Sequence, residues 1–297
     1  MRHAMQADAQ RDQPLYLTTK EVAALLRVKE RKVYDLAANG GIPHRRVTGK
    51  LLFPSAEILA WIEGAGTAVP RERPAVLTGS HDPLLDWAVR ESGSSLATLF
   101  NGSVDGLERF SEGRAALAGI HIPEQHGWNV QTAEEMGIRA SVLIAWAVRA
   151  RGLILSDRVQ GEVTEMADLK GKRVALRQPG AGAAAIFEDL LAKAGLTLKD
   201  LVASGGLART ESDAAAAVAA GEADAAMGIE AMARQFHLPF LPLVEERFDL
   251  LINRRAYFTE PVQTLLAFAR DEPLQRKAAA MGGYRLTDLG TVRWLSS

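Results

Sequence analysis

The chain contains no cysteine among its 297 residues. That excludes disulfides and thiolate metal sites and fits a reducing compartment. It also has no long hydrophobic run. No uninterrupted apolar stretch is longer than Val142 to Val148, far short of the roughly 20 residues a membrane-spanning helix needs. The opening MRHAMQADAQRDQP is polar and lacks the apolar centre of an export signal. A cytoplasmic protein without membrane attachment is therefore expected. There is no large excess of charge of either sign, since the formal net charge is −1. The chain as a whole is not a nonspecific polycation. Catalytic signatures are missing too: no phosphate-loop consensus, no cysteine nucleophile and no recognisable Ser/His/Asp set. We expect no enzyme. His81, His121 and His126 fall on separate loops without a ligand spacing, so neither a metal nor a cofactor is expected.

What is present is unevenly distributed. With 47% hydrophobic and 24% charged residues the composition is that of a folded, multi-domain protein. Between Thr18 and Glu63, however, eight basic residues face five acidic ones, leaving about −5 for Pro74 to Ser297. DNA should meet one end only.

That basic end reads as a compact module over residues 15–63. Thr18 or Thr19 can cap a helix carrying Val22, Leu25 and Leu26 at helical spacing, with Glu21 placed for a capping box. After a short turn at Arg27 to Lys29, a second helix from about Glu30 to Asn39 buries Val33 and Leu36 and stops at Gly40 and Gly41. Ile42 to Phe53 reads as two short strands around Thr48-Gly49. Pro54 then opens a third helix that returns Ile58, Leu59, Trp61 and Ile62 to the same small core. In such a unit the second helix enters the major groove while flanking basic residues hold phosphates.

Residues 64–73, GAGTAVPRER, have the composition of an exposed connector. Downstream, strand-like runs (AVLTGS, ATLFNGS, AALAGIHI, RVALRQPG, ADAAMGI) alternate with helical patterns, which argues for parallel sheet covered by helices. Several strands end in small or hydroxyl residues ahead of a helix: Gly79-Ser80-His81-Asp82-Pro83, Asn101-Gly102-Ser103 and Gln178-Pro179-Gly180-Ala181-Gly182. Helix starts of that kind leave amides unsatisfied and carry positive dipole ends, so a converging set makes an anion site. Two apolar runs, LIAWAVRARGLIL and FLPLVEERFDLLI, fall where the chain would cross between two lobes. Lobe one would comprise 75–148 and 250–297, lobe two 152–245, with a ligand at the cleft. Asp82 is expected to cap the following helix; Arg149 and Arg151 either place guanidinium donors in the cleft or, the favoured reading, are solvated at the surface; Trp128 lines the cleft or, more commonly for an aromatic, fills a core position; and His121 orients a ligand or satisfies a buried contact.

LTTKEVAALLRVKERKVYDLAANGGIPHRRVTGKLLFPSAEILAWI resembles the excisionase-type branch of the MerR-like winged helix-turn-helix families. The resemblance implies DNA-contacting roles for Lys29, Arg31, Lys32, Tyr34, Arg45, Arg46 and Lys50. TGSHDPLLDW, NGSVDGL, LAGIHIPEQHGWN, TESDAAAAVAAGEADAAMGI and LPLVEERFDLLI resemble the periplasmic-binding-protein-like domain found fused to helix-turn-helix modules and related to molybdate and tungstate receptors. The implied architecture is α/β: an N-terminal winged helix-turn-helix at 15–63, then a two-lobed type II periplasmic-binding-protein-like domain at 74–297. The implied ligand positions are Ser80, His81, Asp82 (with Gly79 before them), Gly102, Ser103, His121 and Asn129 from lobe one. Lobe two would add Arg177, Gln178, Gly180, Gly182, Thr210, Glu211 and Ser212. Family members carry a Gly-Ser-Gly-Thr-Arg type run after the Arg-Gln pair, where this chain has Gly180-Ala181-Gly182-Ala183-Ala184. Hydroxyl donors and a guanidinium are thus missing. The implied function is a ligand-responsive regulator binding double-stranded DNA as a homodimer or higher homo-oligomer. Its effector would be molybdate or tungstate, with a molybdenum-cofactor fragment or small organic anion such as formate as the alternative. The other classes are a solute-binding receptor for transport and an architectural DNA-binding protein whose large domain mediates assembly.

Overall fold

In the computed structural model, residues 15–65 and 72–296 are described, and they divide into two compact units on either side of Arg71/Glu72. Most of the expected connector, residues 66–71, lies outside the described residues.

The first unit is held together by short-range signals. Strand β1 (Tyr16–Leu17) leads into helix α1 (Thr19–Leu26), whose start is a capping box. The Thr18 hydroxyl accepts the Glu21 N–H at 3.3 Å, and the Glu21 carboxylate accepts the Thr18 N–H at 2.7 Å. Arg27 ends α1 in the left-handed region at φ 53°. Helix α2 (Glu30–Ala38) follows, closed by a Gly41 N–H to Leu36 carbonyl bond of 2.8 Å. Strands β2 (Arg45–Val47) and β3 (Lys50–Pro54) pair antiparallel across Thr48-Gly49. Both turn residues have positive φ, 48° and 80°, the twist a two-residue hairpin requires. Helix α3 (Ser55–Ala65) closes the unit. Val22, Val33, Ala37, Ile42, Phe53 and Ile58 form its core.

The second unit is built on one ten-stranded mixed sheet. Its first part runs β4 (Val76–Gly79), helix α4 (Pro83–Ser92), β5 (Ala97–Phe100), helix α5 (Ser103–Ser111) and β6 (Leu117–Ile120). Here β4 pairs in parallel with both β5 and β6. A small hairpin, β7 (Pro123–Glu124) and β8 (Gly127–Trp128), and helix α6 (Val130–Glu135) lead to the long strand β9 (Ser141–Leu155). The second part holds β10 (Arg173–Ala175), helix α7 (Gly182–Lys193), β11 (Val202–Ala203), helix α8 (Glu211–Ala219), β12 (Ala225–Ile229) and helix α9 (Glu230–Gln235). Strand β13 (Phe240–Asn253) then returns antiparallel along the whole of β9. The chain finishes with helices α10 (Glu260–Phe268) and α11 (Glu272–Met281) and strands β14 (Tyr284–Arg285) and β15 (Val292–Leu295).

The two long strands belong to both halves. β9 pairs with β12 over 151–155 and with β14 and β15 over 142–149, while β13 pairs with β6 over 249–252. Along β9, Val142, Ile144 and Trp146 enter one core cluster and Leu143 the opposite one; Leu153 and Leu155 enter a third and Ile154 a fourth. Burial on both faces explains why β9 and the second half of β13 read as apolar runs, whereas Phe240 to Arg247 is mostly part-exposed. Gly152 sits where the strands come closest: a Cβ there would lie 1.9 Å from the Leu241 carbonyl oxygen. The tail is helical as expected from Pro261, but it also supplies β14 and β15. These have two and four residues with mixed polarity and so lack a strand period of their own.

Candidate functional site

The loops that leave β4, β5 and β6 knit together at the carboxyl ends of those parallel strands, the usual location of a site in such sheets. The Ser80 N–H donates to the Gly119 carbonyl at 2.8 Å, and the amides of Asn101 and Gly102 both donate to the Gly79 carbonyl at 3.1 Å. The buried hydroxyls of Ser80 and Ser103 are 2.8 Å apart, and Ser103 Oγ accepts the His121 N–H at 3.2 Å. Gly102 holds φ +102° at the start of α5.

The turn from β10 into α7 meets these loops directly. A Cβ on Gly102 would lie 2.9 Å from the Gly180 carbonyl oxygen, and one on Gly182 would lie 2.4 Å from the His121 carbonyl oxygen. Gln178 Nε2 donates to the Asn101 carbonyl at 3.1 Å. The lobes therefore touch along a seam lined by glycines. Neither α5 nor α7 has a side-chain cap. First-turn amides of both helices, with their positive dipole ends, thus border the same seam.

Beneath the seam lies a buried ionic network centred on the crossing strands. Arg149 and Arg151, two residues apart and so on one face of β9, are both fully buried. Arg149 donates to Asp82 at 2.8 Å and is ion-paired with Glu246. Its guanidinium also lies 4.4 Å from the centre of the Phe248 ring. Arg151 donates to Glu246 through Nε at 2.5 Å and to Glu211 through Nη2 at 2.8 Å. Arg177 lies 3.0 Å from the same Glu211 oxygen. His121 Nδ1 is 3.0 Å from Glu246, and the Tyr284 hydroxyl donates to Asp82 at 2.8 Å.

Burial alone would raise the carboxyl pKa values here, but the guanidiniums outweigh it. Arg149 and Arg151 hold Glu246 well below the usual carboxylate range, and Arg151 and Arg177 do the same for Glu211. Burial pushes His121 down despite Glu246, so its ring is neutral near pH 7, and it pushes the Tyr284 phenol well up. Three guanidiniums are thus matched by three carboxylates, Asp82, Glu211 and Glu246, and the network carries no surplus charge.

Of the residues expected to touch ligand, Ser80, Gly102, Ser103 and His121 meet Gln178, Gly180 and Gly182 at the seam, while Asp82, Arg177 and Glu211 are spent in the network below it. Asp82 caps α4 as expected, its Oδ1 accepting the Leu85 N–H at 2.7 Å, and in addition holds Arg149. Arg177, expected as a free donor, instead donates through Nε and Nη2 to the carbonyls of Ala208 and Arg209, each at 3.2 Å. Other residues are committed elsewhere. Asn129 locks a corner of lobe one, accepting the Ile122 N–H and donating to Asp249, both at 2.7 Å. The Thr210 hydroxyl caps α8 by accepting the Asp213 N–H at 3.0 Å, and Ser212 donates to the Met232 sulfur at 3.4 Å. The His81 ring packs edge-on against Phe100, its centroid 5.4 Å away.

Two expectations are overturned. Arg149 and Arg151 are not at the surface, because paired carboxylates on neighbouring elements meet them inside the protein. Trp128 is half-buried on the β7–β8 hairpin rather than in a core cluster. Glu246 and Tyr284 were missed. The signal for Glu246 was available, since it interrupts an apolar strand just as Arg149 and Arg151 interrupt theirs.

In the first unit, α2 turns Val33 and Ala37 inward, leaving Lys29, Arg31, Lys32 and Tyr34 exposed on and just ahead of it. Arg45, Arg46 and Lys50 project from the β2–β3 hairpin. Arg45 is paired with Glu57 at 2.8 Å. Arg31, Lys32, Arg46 and Lys50 have no carboxylate partner among the described residues, so their charge is free for another polyanion. Among the described residues, no group of three or more His, Asp or Glu is arranged to hold a metal ion, and no helix is long and apolar enough to cross a membrane.

A family model for the PBP superfamily domain matches residues 86–270, and one for a helix-turn-helix domain matches residues 16–66. The uncharacterized protein YvgK of Bacillus subtilis (strain 168) is 23% identical over 300 residues, covering 93% of this chain and 96% of that protein. A phosphate-bound ABC transporter substrate-binding protein from Clostridium perfringens superimposes with a TM-score of 0.51 at 13% identity, over 73% of this chain and 99% of that one. The alkanesulfonate-binding protein SsuA from Xanthomonas axonopodis pv. citri gives 0.44 at 19% identity, over 71% and 77%. One matched family is a binding-protein fold and the other a DNA-binding module. The chain belongs to the PBP superfamily, carries a helix-turn-helix domain at the amino-terminal side of its binding-protein domain, and is a DNA-binding regulator with a ligand-binding domain.

Proposed function

We propose that the chain is a one-component transcriptional regulator whose effector is a small anion held at the seam between the lobes. The observation that carries this reading is the meeting of the α5 and α7 starts at Gly102 and Gly180, beside the Ser80–Ser103 hydroxyl pair. Amides and dipoles at two helix starts attract negative charge without any guanidinium. That fits a chain lacking the hydroxyl and guanidinium donors its relatives carry. Because the network below is neutral, no net charge of the protein offsets the larger desolvation cost of a dianion. Molybdate and tungstate, implied by the likeness to type II receptors, are therefore to be compared with sulfate, phosphate, formate and pterin compounds. Ligand acts by binding one lobe arrangement better than another, and that bias changes how the helix-turn-helix engages DNA. One such module offers a small contact area, so a homodimer on two half-sites is the working form. Such a regulator works beside the chromosome, in the cytoplasm.

The test is a thermal-shift and calorimetric screen of the full chain against these anions, followed by DNA binding with and without whichever stabilises it. The reading requires at least one anion to raise Tm and to change DNA affinity. DNA affinity unchanged across the whole panel would instead favour an architectural role.

A further inference from the structure

Lobe two contains a cavity of about 150 Å³ that begins one residue from the seam. In the turn into α7, Gly180 and Gly182 face lobe one, whereas Pro179, Ala183 and Ala184 line this cavity. Its other walls include Leu176 just after β10, Phe187 and Glu188 from α7, Met227 from β12 and Leu207 from the loop ahead of α8, so one carboxylate shares a largely apolar lining. Leu207 is 54% exposed although it lines an apolar hollow. Arg177 lines the cavity and belongs to the ionic network beneath the seam. Its side chain is 7% exposed, it donates to the carbonyls of Ala208 and Arg209, and its charge is met by Glu211.

We infer that the effector is amphipathic: a monoanionic head at the α5 and α7 starts and an apolar body of up to about six carbons in the lobe-two cavity. The inference rests on the seam reading above and adds the substrate class to it. Three observations support it. A cavity of this size lined by apolar side chains accommodates a benzene-sized group. The walls offer an apolar guest dispersion contacts, while their polar side chains, Arg177 matched by Glu211 and the Glu188 carboxylate, give an anionic head no free donor inside the cavity. The seam's fixed charges cancel, so a single negative charge suffices. A purely inorganic oxyanion would leave the cavity unused.

The experiment is calorimetry on the full chain with straight-chain carboxylates from acetate to octanoate, alongside molybdate. Each added methylene buries further apolar surface, so affinity should rise about fourfold per carbon and level off near six carbons. In Ala184→Leu, which fills the cavity from α7, the series should become flat while acetate binding is kept. Leu207→Glu alters an exposed side chain and serves if Ala184→Leu does not fold; it should weaken hexanoate and spare acetate. A flat series in the unmodified chain, or a rise that persists in both variants, would overturn the assignment. So would stabilisation by molybdate with no response to any carboxylate, an outcome that leaves the seam reading standing. Failure of every anion to bind removes both.

Discussion

Glu246 on β13 stands directly across the antiparallel ladder from Arg149 on β9, and its carboxylate is shared with Arg151. Two guanidiniums, one carboxylate and the neutral His121 are thereby fixed where both long strands pass between the lobes. Glu246→Gln keeps the shape but removes the charge, leaving buried cations short of a partner. We expect a loss of about 3–5 kcal/mol in unfolding free energy, measured by denaturant titration. The folded pKa of Glu246 is depressed, so its contribution is present above the unfolded value near pH 4.3 and is lost as pH falls through the folded value. The advantage of the unmodified chain over the variant should therefore be constant above about pH 5 and shrink as pH falls below about 4.

Asp249 behaves in the opposite sense. Burial pushes its carboxyl up to about 6, against the hydrogen bond from Asn129 and the charges of Arg293 and Arg247. Between pH 3.9 and 6 the folded state then holds a proton the unfolded chain has lost. Its contribution is full below about pH 3.9 and disappears as pH rises through 6, a change of about 2–3 kcal/mol. Asp249→Asn keeps an acceptor for Asn129 and should raise Tm at pH 7–8. A variant that leaves the pH dependence of Tm between 4 and 7 untouched would count against the buried carboxyl.

The parts legible in the sequence are those encoded by neighbours in the chain. The Thr18–Glu21 capping box, the Thr48-Gly49 turn and the strand-to-helix loops at Ser80 and Gly102 each follow from a few adjacent residues. The ionic network does not. Arg149 and Arg151 look like surface cations until Glu246, opposite in the ladder, and Glu211, on a separate helix, are brought to them by topology. Matching charge interruptions in two adjacent apolar runs, VRARG and VEERF, were the available clue. The resemblance implies ligand contacts for Asn129 and Thr210, but short polar side chains at loop ends serve equally as donors, caps and locks, and only the fold says which.

Gly182 tests the closed seam. An alanine there would bring its Cβ 2.4 Å from the His121 carbonyl oxygen and 2.7 Å from the imidazole ring. The backbone oxygen cannot turn aside, so the lobes must part. Gly182→Ala is expected to destabilise the domain by about 1–3 kcal/mol and to increase the radius of gyration by small-angle scattering. Gly206→Ala, with nothing within 4 Å of the added carbon, is the matched control. Equal scattering from the two variants would show that the seam is not under steric constraint.

The helix-turn-helix prediction turns on counterion release. Each phosphate neutralised by a basic side chain adds roughly 0.9 to the magnitude of the slope of log K against log salt. Arg31 and Lys32 are exposed on α2 and unpaired among the described residues, so both are available for that role. Arg31→Ala combined with Lys32→Ala should lower the slope by nearly 2 and weaken binding to every sequence if both hold phosphates. A slope unchanged alongside lost sequence preference would mean that they contact base edges instead. Lys170, exposed in the other unit, should affect neither quantity. If the double variant matches the unmodified chain in both slope and preference, α2 does not face the duplex.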